Sequence, residues 1–400
     1  MINPSANGWI EKFFQEQNVP YQNCNSTLEV YQSIRVTGFI YGHVVSLNTN
    51  LNTEISNLKK EETLKLALIS NLFQVYNFYT KSVDVSDFIS KITAFYTLIT
   101  PKSFNLLSKI VAPDLVSELE YFINSRVQTN KDVVTKNFSH IVFNALLFTD
   151  VLAFNQFLAT DTISTKQLKK TEELIIGIAL LCLKIKTVRT DYDNLVLKLF
   201  EASIRYSKFS EIEKTEKALQ LNELNLSYFK DDFEKLYLLD IAAMTLWSDG
   251  KIENEELYFL EKVANQLNLT LKNASESNEY VREFILNHKK DIDFINYSNP
   301  LKHFYDQTTN NVSFLITRNK IRLIKELKQS KELLVLIKKS TKQDLDKEEK
   351  KKVKKQLLDI CKTIPSLAIF LLPGGSLLFP IFIRFIPQLL PSAFNENFED

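Results

Sequence analysis

The sequence predicts an all-α protein. Apolar residues recur at spacings of three and four along most of the chain, as the buried face of a helix requires. Glycine is scarce, at seven in 400 residues, whereas doubly wound α/β folds and phosphate-cradling loops spend glycine at their turns. Five of the ten prolines fall in one apolar stretch near the C-terminus, which sets that stretch apart from the rest.

Composition narrows the function classes. A hydrophobic fraction of 45% with 24% charge is that of a folded chain with sizeable cores. The net charge of +1 predicts no global attraction to nucleic acid. It hides an asymmetry, because Arg318 to Lys362 holds 16 Lys+Arg against 7 Asp+Glu and the remainder is acidic. Cys24, Cys182 and Cys361 are few and scattered, which fits a reducing compartment and no disulfide framework. The N-terminal MINPSANGWIEKFF lacks a basic region followed by an apolar core, so no secretory signal is expected. Neither GxGxxG, a Walker-type GKS or GKT, nor GxSxG occurs, and an enzyme is the least supported class.

Residues 1–215 read as a helical domain without a functional motif. VTGFIYGHVV, Val36 to Val45, is either a short strand or a bent helix. Leu64, Leu68, Leu72, Val75 and Tyr79 mark a buried helix face, and similar patterns run over Asp87–Ile99, Asp114–Ile123 and Val133–Phe157. Pro101 and Pro113 punctuate them. His43 and His140 have no partner histidine at helical spacing, so a packed or surface role outweighs a ligand role. Asp191 and Asp193 form a DxD, but they lie where a helix starts and aspartate caps.

Residues 216–300 form a second helical unit. Leu236, Leu239, Ala243 and Leu246 mark one face, and Leu257, Leu260, Val263 and Leu267 the next, with Asp249-Gly250 between them. In EF-hand register, Thr245 and Trp247 would take positions that demand carboxylates, which excludes a true EF-hand. The helix, acidic turn, helix pattern resembles TerB-like domains, through Ser248, Asp249, Gly250, Ile252 and Glu256 with Ala242–Ala243 upstream. The resemblance implies Asp249, Glu253 and Glu256 as a metal or partner site. Helix capping explains the same carboxylates.

Residues 301–363 are a basic arm. Ile321, Ile324, Leu327, Leu334 and Ile337 keep one apolar stripe, and a break is expected at Ser340–Gln343. Asp346 with Glu349 three residues on signals a capped second helix carrying Lys350, Lys351, Lys352, Lys354 and Lys355. These lysines suit a solvated face, anionic lipid or ribosomal RNA, and lipid gains from the apolar run that follows. The stretch from Arg318 to Lys362 has no aromatics for base stacking.

Residues 364–396 hold Pro365, Pro373, Gly374, Gly375, Pro380, Arg384, Pro387 and Pro391 in an otherwise apolar segment. A helix from Ile364 to Arg384 would be about 30 Å long, enough to cross a bilayer. The lysines before it then predict a cytoplasmic body. A re-entrant hairpin broken at Pro373-Gly374-Gly375 and burial in a helical subdomain are the rivals. Leu345-Asp346-Lys347-Glu348-Glu349-Lys350, Asp359, the proline register and the closing LLPSAF resemble the LETM-type (leucine-zipper/EF-hand transmembrane) family. The resemblance implies an inner-membrane protein linked to cation homeostasis, K⁺/H⁺ or Ca²⁺/H⁺, and to ribosome association. In that family a soluble domain follows the segment, whereas this sequence ends at Asp400. Bacterial chains pairing the tail with a TerB-like region are labelled biofilm-associated.

The leading expectation is a non-enzymatic adaptor on the cytoplasmic face of the inner membrane, anchored by its C-terminal segment, that recruits a partner or senses a cation. The alternative is a ribosome-binding factor or cation-homeostasis component. Partners expected are membrane lipid, the ribosome, and a protein partner or a second copy. No DNA, small-molecule substrate or cofactor is expected, a divalent cation apart.

Overall fold

The computed structural model describes residues 2–16, 24–48, 57–100, 114–127, 147–185, 191–206, 220–247, 252–288, 300–343, 345–364, 367, 370 and 375–386. Among them the chain is wholly helical, with sixteen α-helices and no strand. The segment read as a strand or bent helix contains a 3-10 turn, Phe39–Tyr41, between Gly38 and Gly42. Both glycines have positive φ, and a Cβ on Gly38 would lie 2.1 Å from the carbonyl oxygen of His43. Only glycine fits there.

The N-terminal helices are α1 (Trp9–Glu16), α2 (Thr27–Arg35), α3 (Lys60–Thr80), α4 (Val85–Ile99), α5 (Leu115–Arg126) and α6 (Phe148–Thr160). Caps fix several starts: Ser26, Asp84 and Asp114 each accept a backbone N–H of the first turn. The Glu120 side chain of α5 accepts from the backbone N–H of Gly8 and Ile10, both at 3.0 Å, tying α1 to α5. Every residue from Thr63 to Asn77 of α3 is buried, as a helix surrounded by others must be. Phe73, Phe88, Phe95, Phe154 and Phe157 meet mainly edge-on or tilted across α3, α4 and α6.

Next come α7 (Thr165–Ile185), α8 (Asp191–Tyr206), α9 (Asp232–Leu246), α10 (Asn254–Gln266) and α11 (Leu271–His288). Helix α9 is the hub. It packs against α2, α7, α10, α11 and the 3-10 turn, so helices on either side of residue 215 share one core. Gly177, midway along α7, lets Leu224 approach, since a Cβ there would stand 2.8 Å from Leu224 Cδ2. The three thiols are buried, and burial pushes each of their pKa values up.

Two buried ion pairs lie in this core. Arg35 Nη2 stands 2.6 Å from Asp240 Oδ1, while the hydroxyls of Tyr31, Tyr41 and Ser277 also donate to Asp240. Arg126 grips Asp150 with two 2.6 Å bonds, and Tyr96 donates to the same carboxylate. Burial, then the neighbouring carboxylate, pushes all three of these buried tyrosines well above the usual phenol range.

Removing one partner of such a pair leaves a buried charge uncompensated. Asp240→Asn is expected to cost about 3–5 kcal/mol, measured by urea unfolding of the full chain. Glu234 differs, since its buried carboxyl faces Gln156 and Asp231 rather than a cation. Burial raises its pKa from 4.5 to about 7. Folding therefore favours the protonated form, and its contribution is lost as pH rises from 4.5 towards 7. Glu234→Gln is expected to raise the melting temperature at pH 8 and leave it unchanged near pH 4; a gain of equal size at both pH values would contradict this assignment.

Candidate functional site: a lysine-faced helix and the apolar tail

The arm is four helices: α12 (Pro300–Arg318), α13 (Lys320–Gln329), α14 (Lys331–Lys342) and α15 (Lys347–Thr363). The apolar stripe expected to run unbroken from Ile321 to Ile337 is interrupted at Ser330. Its backbone ends α13, and its hydroxyl accepts from Leu333 N–H and donates to Gln356 Oε1 of α15 at 2.9 Å. Asn319 lies at the α12–α13 junction, its amide donating back to Leu315 O at 2.7 Å.

Helix α15 starts where the capping signal places it. Asp346 Oδ1 accepts from Glu349 N–H at 2.8 Å, and Glu349 Oε2 accepts from Asp346 N–H at 3.1 Å. Val353, Leu357, Ile360, Cys361 and Ile364 form its buried side, and the helix packs on α13 and α14. That stripe turns Lys351, Lys355 and Lys362 to the opposite side, with Lys352 exposed on a flank, Lys350 exposed in the first turn and Lys354 half-buried.

Several of the charges are paired. Lys352 Nζ lies 2.9 Å from Glu332 Oε1, which also receives Gln356 on its other oxygen at 3.0 Å. The Lys352 contact holds the Glu332 carboxyl below its usual range. Lys339 binds Glu349, and Lys362 binds Asp359. Lys350, Lys351 and Lys355 remain exposed on a helix with seven lysines and three carboxylates.

Beyond α15 the expected 21-residue helix does not form. Ile364 is extended, with φ −111 and ψ 106, as the residue before a proline tends to be. The next helix, α16, runs only from Gly375 to Phe385. Eleven residues span about 16 Å, and among the described residues no helix is long and apolar enough to cross a membrane. Pro380 lies within α16, where it is half-buried. Leu378, Phe379, Ile381, Phe382 and Ile386 are buried, the helix packing on α8 and α12. The Phe370 and Phe382 rings are 4.5 Å apart. Arg384 is exposed and donates to Tyr305 Oη of α12 at 2.7 Å.

The carboxylates expected at the acidic turn lie partly outside the described residues. Asp249 lies outside the described residues, as do Pro365, Pro373, Gly374, Pro387 and Pro391. Glu253 is the N-cap of α10, and Glu256, buried, accepts its backbone N–H at 2.9 Å. Asp191 and Asp193 open α8. Among the described residues no group of three or more His, Cys, Asp or Glu is placed to hold a metal ion.

Two features were missed by reading along the chain. Asp240 had a signal, a single carboxylate inside the apolar run LYLLDIAAM. His43 and His288 had none, yet their rings lie 6.1 Å apart.

Residues 345–400, which include the lysine helix and the tail, match the family model described as LETM1-like, RBD. No curated protein and no solved structure matches the chain.

If the capping box fixes where α15 begins, Asp346→Ala will lower stability by about 1 kcal/mol. Hydrogen exchange is the check: protection should fall over residues 347–351 and stay unchanged near Ile360.

Proposed function

We propose that this protein is a non-enzymatic helical adaptor that docks on the ribosome, using the exposed lysines of α15 against RNA phosphate. The observation that carries it is the exposure of Lys350, Lys351 and Lys355, none of which belongs to the Lys352–Glu332, Lys339–Glu349 or Lys362–Asp359 pair. The match of this segment to a description reading RBD supports it, as does the ribosome association that the LETM-type resemblance implies. The absence of aromatics in Arg318 to Lys362 fits recognition of phosphate rather than of bases.

Lipid is the second reading, favoured by the apolar composition of α16 and by the membrane association that the resemblance implies. For α16 to enter a bilayer it would have to leave α8 and α12, exposing the surface now covered by Phe379, Ile381 and Phe382. An adaptor that meets a membrane through its lysines alone keeps that packing intact. Either way the chain recruits a partner and carries out no chemistry of its own.

Co-sedimentation with purified ribosomes tests the proposal. Wild-type protein is expected to pellet at low salt. Its log affinity should fall with log salt by about 0.7–0.9 per phosphate contact, so by roughly 2–3 for three lysines. A triple Lys350→Glu, Lys351→Glu, Lys355→Glu variant should remain in the supernatant with unchanged helicity. Equal sedimentation of the two, or binding only to vesicles containing anionic lipid, would overturn the ribosome reading.

A further inference from the structure

The fold brings two histidines together from elements 245 positions apart. His43 follows the 3-10 turn, and His288 is the last residue of α11. Both are half-buried, their ring centroids 6.1 Å apart and their planes inclined at 49°.

Both backbones are held. Around His43, its N–H donates to Gly38 O at 3.3 Å, and Val45 N–H to Thr37 O at 2.8 Å. Gly38 and Gly42, both left-handed, set the path of that turn. Across the gap, Tyr41 packs on Phe284 of α11 with centroids 4.7 Å apart. Phe284 lies one helical turn before His288, at 5.0 Å from its ring and 6.2 Å from that of His43. The two imidazoles are thus fixed against one aromatic wall rather than placed by chance rotamers on a mobile surface.

The separation is informative. A direct N–H···N bond between two imidazoles needs centroids about 5.2 Å apart, counting a ring radius on each side. An ion bound at the usual 2.0–2.1 Å Zn–N distance stands about 3.2 Å from each centroid. Two such arms span roughly 5.2 Å at the tetrahedral angle and roughly 6.4 Å when collinear. The observed 6.1 Å falls in that interval, beyond a direct bond and within reach of one bridging ion. At 6.1 Å the two arms would meet at the ion at an angle of about 145°, between the tetrahedral and collinear limits.

His288 sits at the C-terminal end of α11, where the unpaired carbonyls carry the negative end of the helix dipole. Imidazole is a borderline-soft ligand suited to Zn²⁺, Ni²⁺ or Cu²⁺ and a poor one for Ca²⁺ or Mg²⁺.

We infer that His43 and His288 form a two-histidine site for a borderline divalent cation of the zinc class, with water completing its coordination. Occupancy would clip the turn that follows Phe39–Tyr41 to the end of α11. The site is separate from the α15 lysines and does not depend on how they are used.

Calorimetric titration and thermal melting of the full chain with ZnCl₂ alone test it. Saturable binding and a raised melting temperature are expected at pH 7.5. Both should vanish when excess EDTA is added. His43→Gln and His288→Gln should each weaken binding by roughly tenfold or more while leaving His140, His303 and the cysteines in place. Should His43→Gln lose its helicity, His288→Gln decides alone, together with a Cu²⁺ paramagnetic resonance spectrum showing two nitrogen ligands in the wild type. Absent saturable binding, or binding unchanged in His288→Gln, overturns the site.

Discussion

A carboxylate withdrawn from water must be surrounded by donors, and the arrangement around Asp240 is what the body of this protein depends on. Arg35 supplies a charge, and Tyr31, Tyr41 and Ser277 supply hydroxyls, so one side chain on α9 gathers α2, the 3-10 turn and α11. Arg35 is itself covered by Tyr280, its guanidinium carbon 3.9 Å from the ring centre. Apolar packing alone would let α9 rotate or slide among its neighbours at little cost. A buried ion pair with fixed bond directions penalises any register but one.

The N-terminal helices use the same device with different parts. Arg126 of α5 and Asp150 of α6 meet in two parallel bonds, and Tyr96 of α4 completes the set. Each cluster joins one arginine, one aspartate and at least one tyrosine from separate helices. The long phenol side chains fill apolar space along their length and deliver a donor at the tip. The abundance of aromatic residues in the composition therefore serves two ends, filling the gaps between helices and satisfying the few charges buried there.

What could be read along the chain follows from the range of the signals. The helical class and the start of α15 were legible because periodicity and a capping box act over a few residues. The break at Ser330 was not, since the apolar stripe of α13 continues in α14 without a phase change. The tail was legible in its punctuation, as Ile364 before Pro365 shows, but mean hydropathy favoured one long helix. Apolar residues in α16 look the same whether α8 and α12 or lipid chains cover them. Asp240 was missed, because a charge in an apolar run does not reveal its partners. His43 and His288 lie on turns whose meeting depends on the whole fold.

The three buried cysteines give this architecture its own reporters. Cys24 lies beside α3, where Gln74 donates to its sulfur; Cys182 is within α7 and Cys361 on the inner side of α15. A thiol that must become an exposed thiolate to react is silent in the closed structure. Its rate of alkylation then counts the openings of its own neighbourhood. Three such rates, resolved by mass after digestion, would rank the surroundings of α3, α7 and the basic arm by local stability. Adding a docking partner and watching only the Cys361 rate slow would locate the contact without any label on the protein.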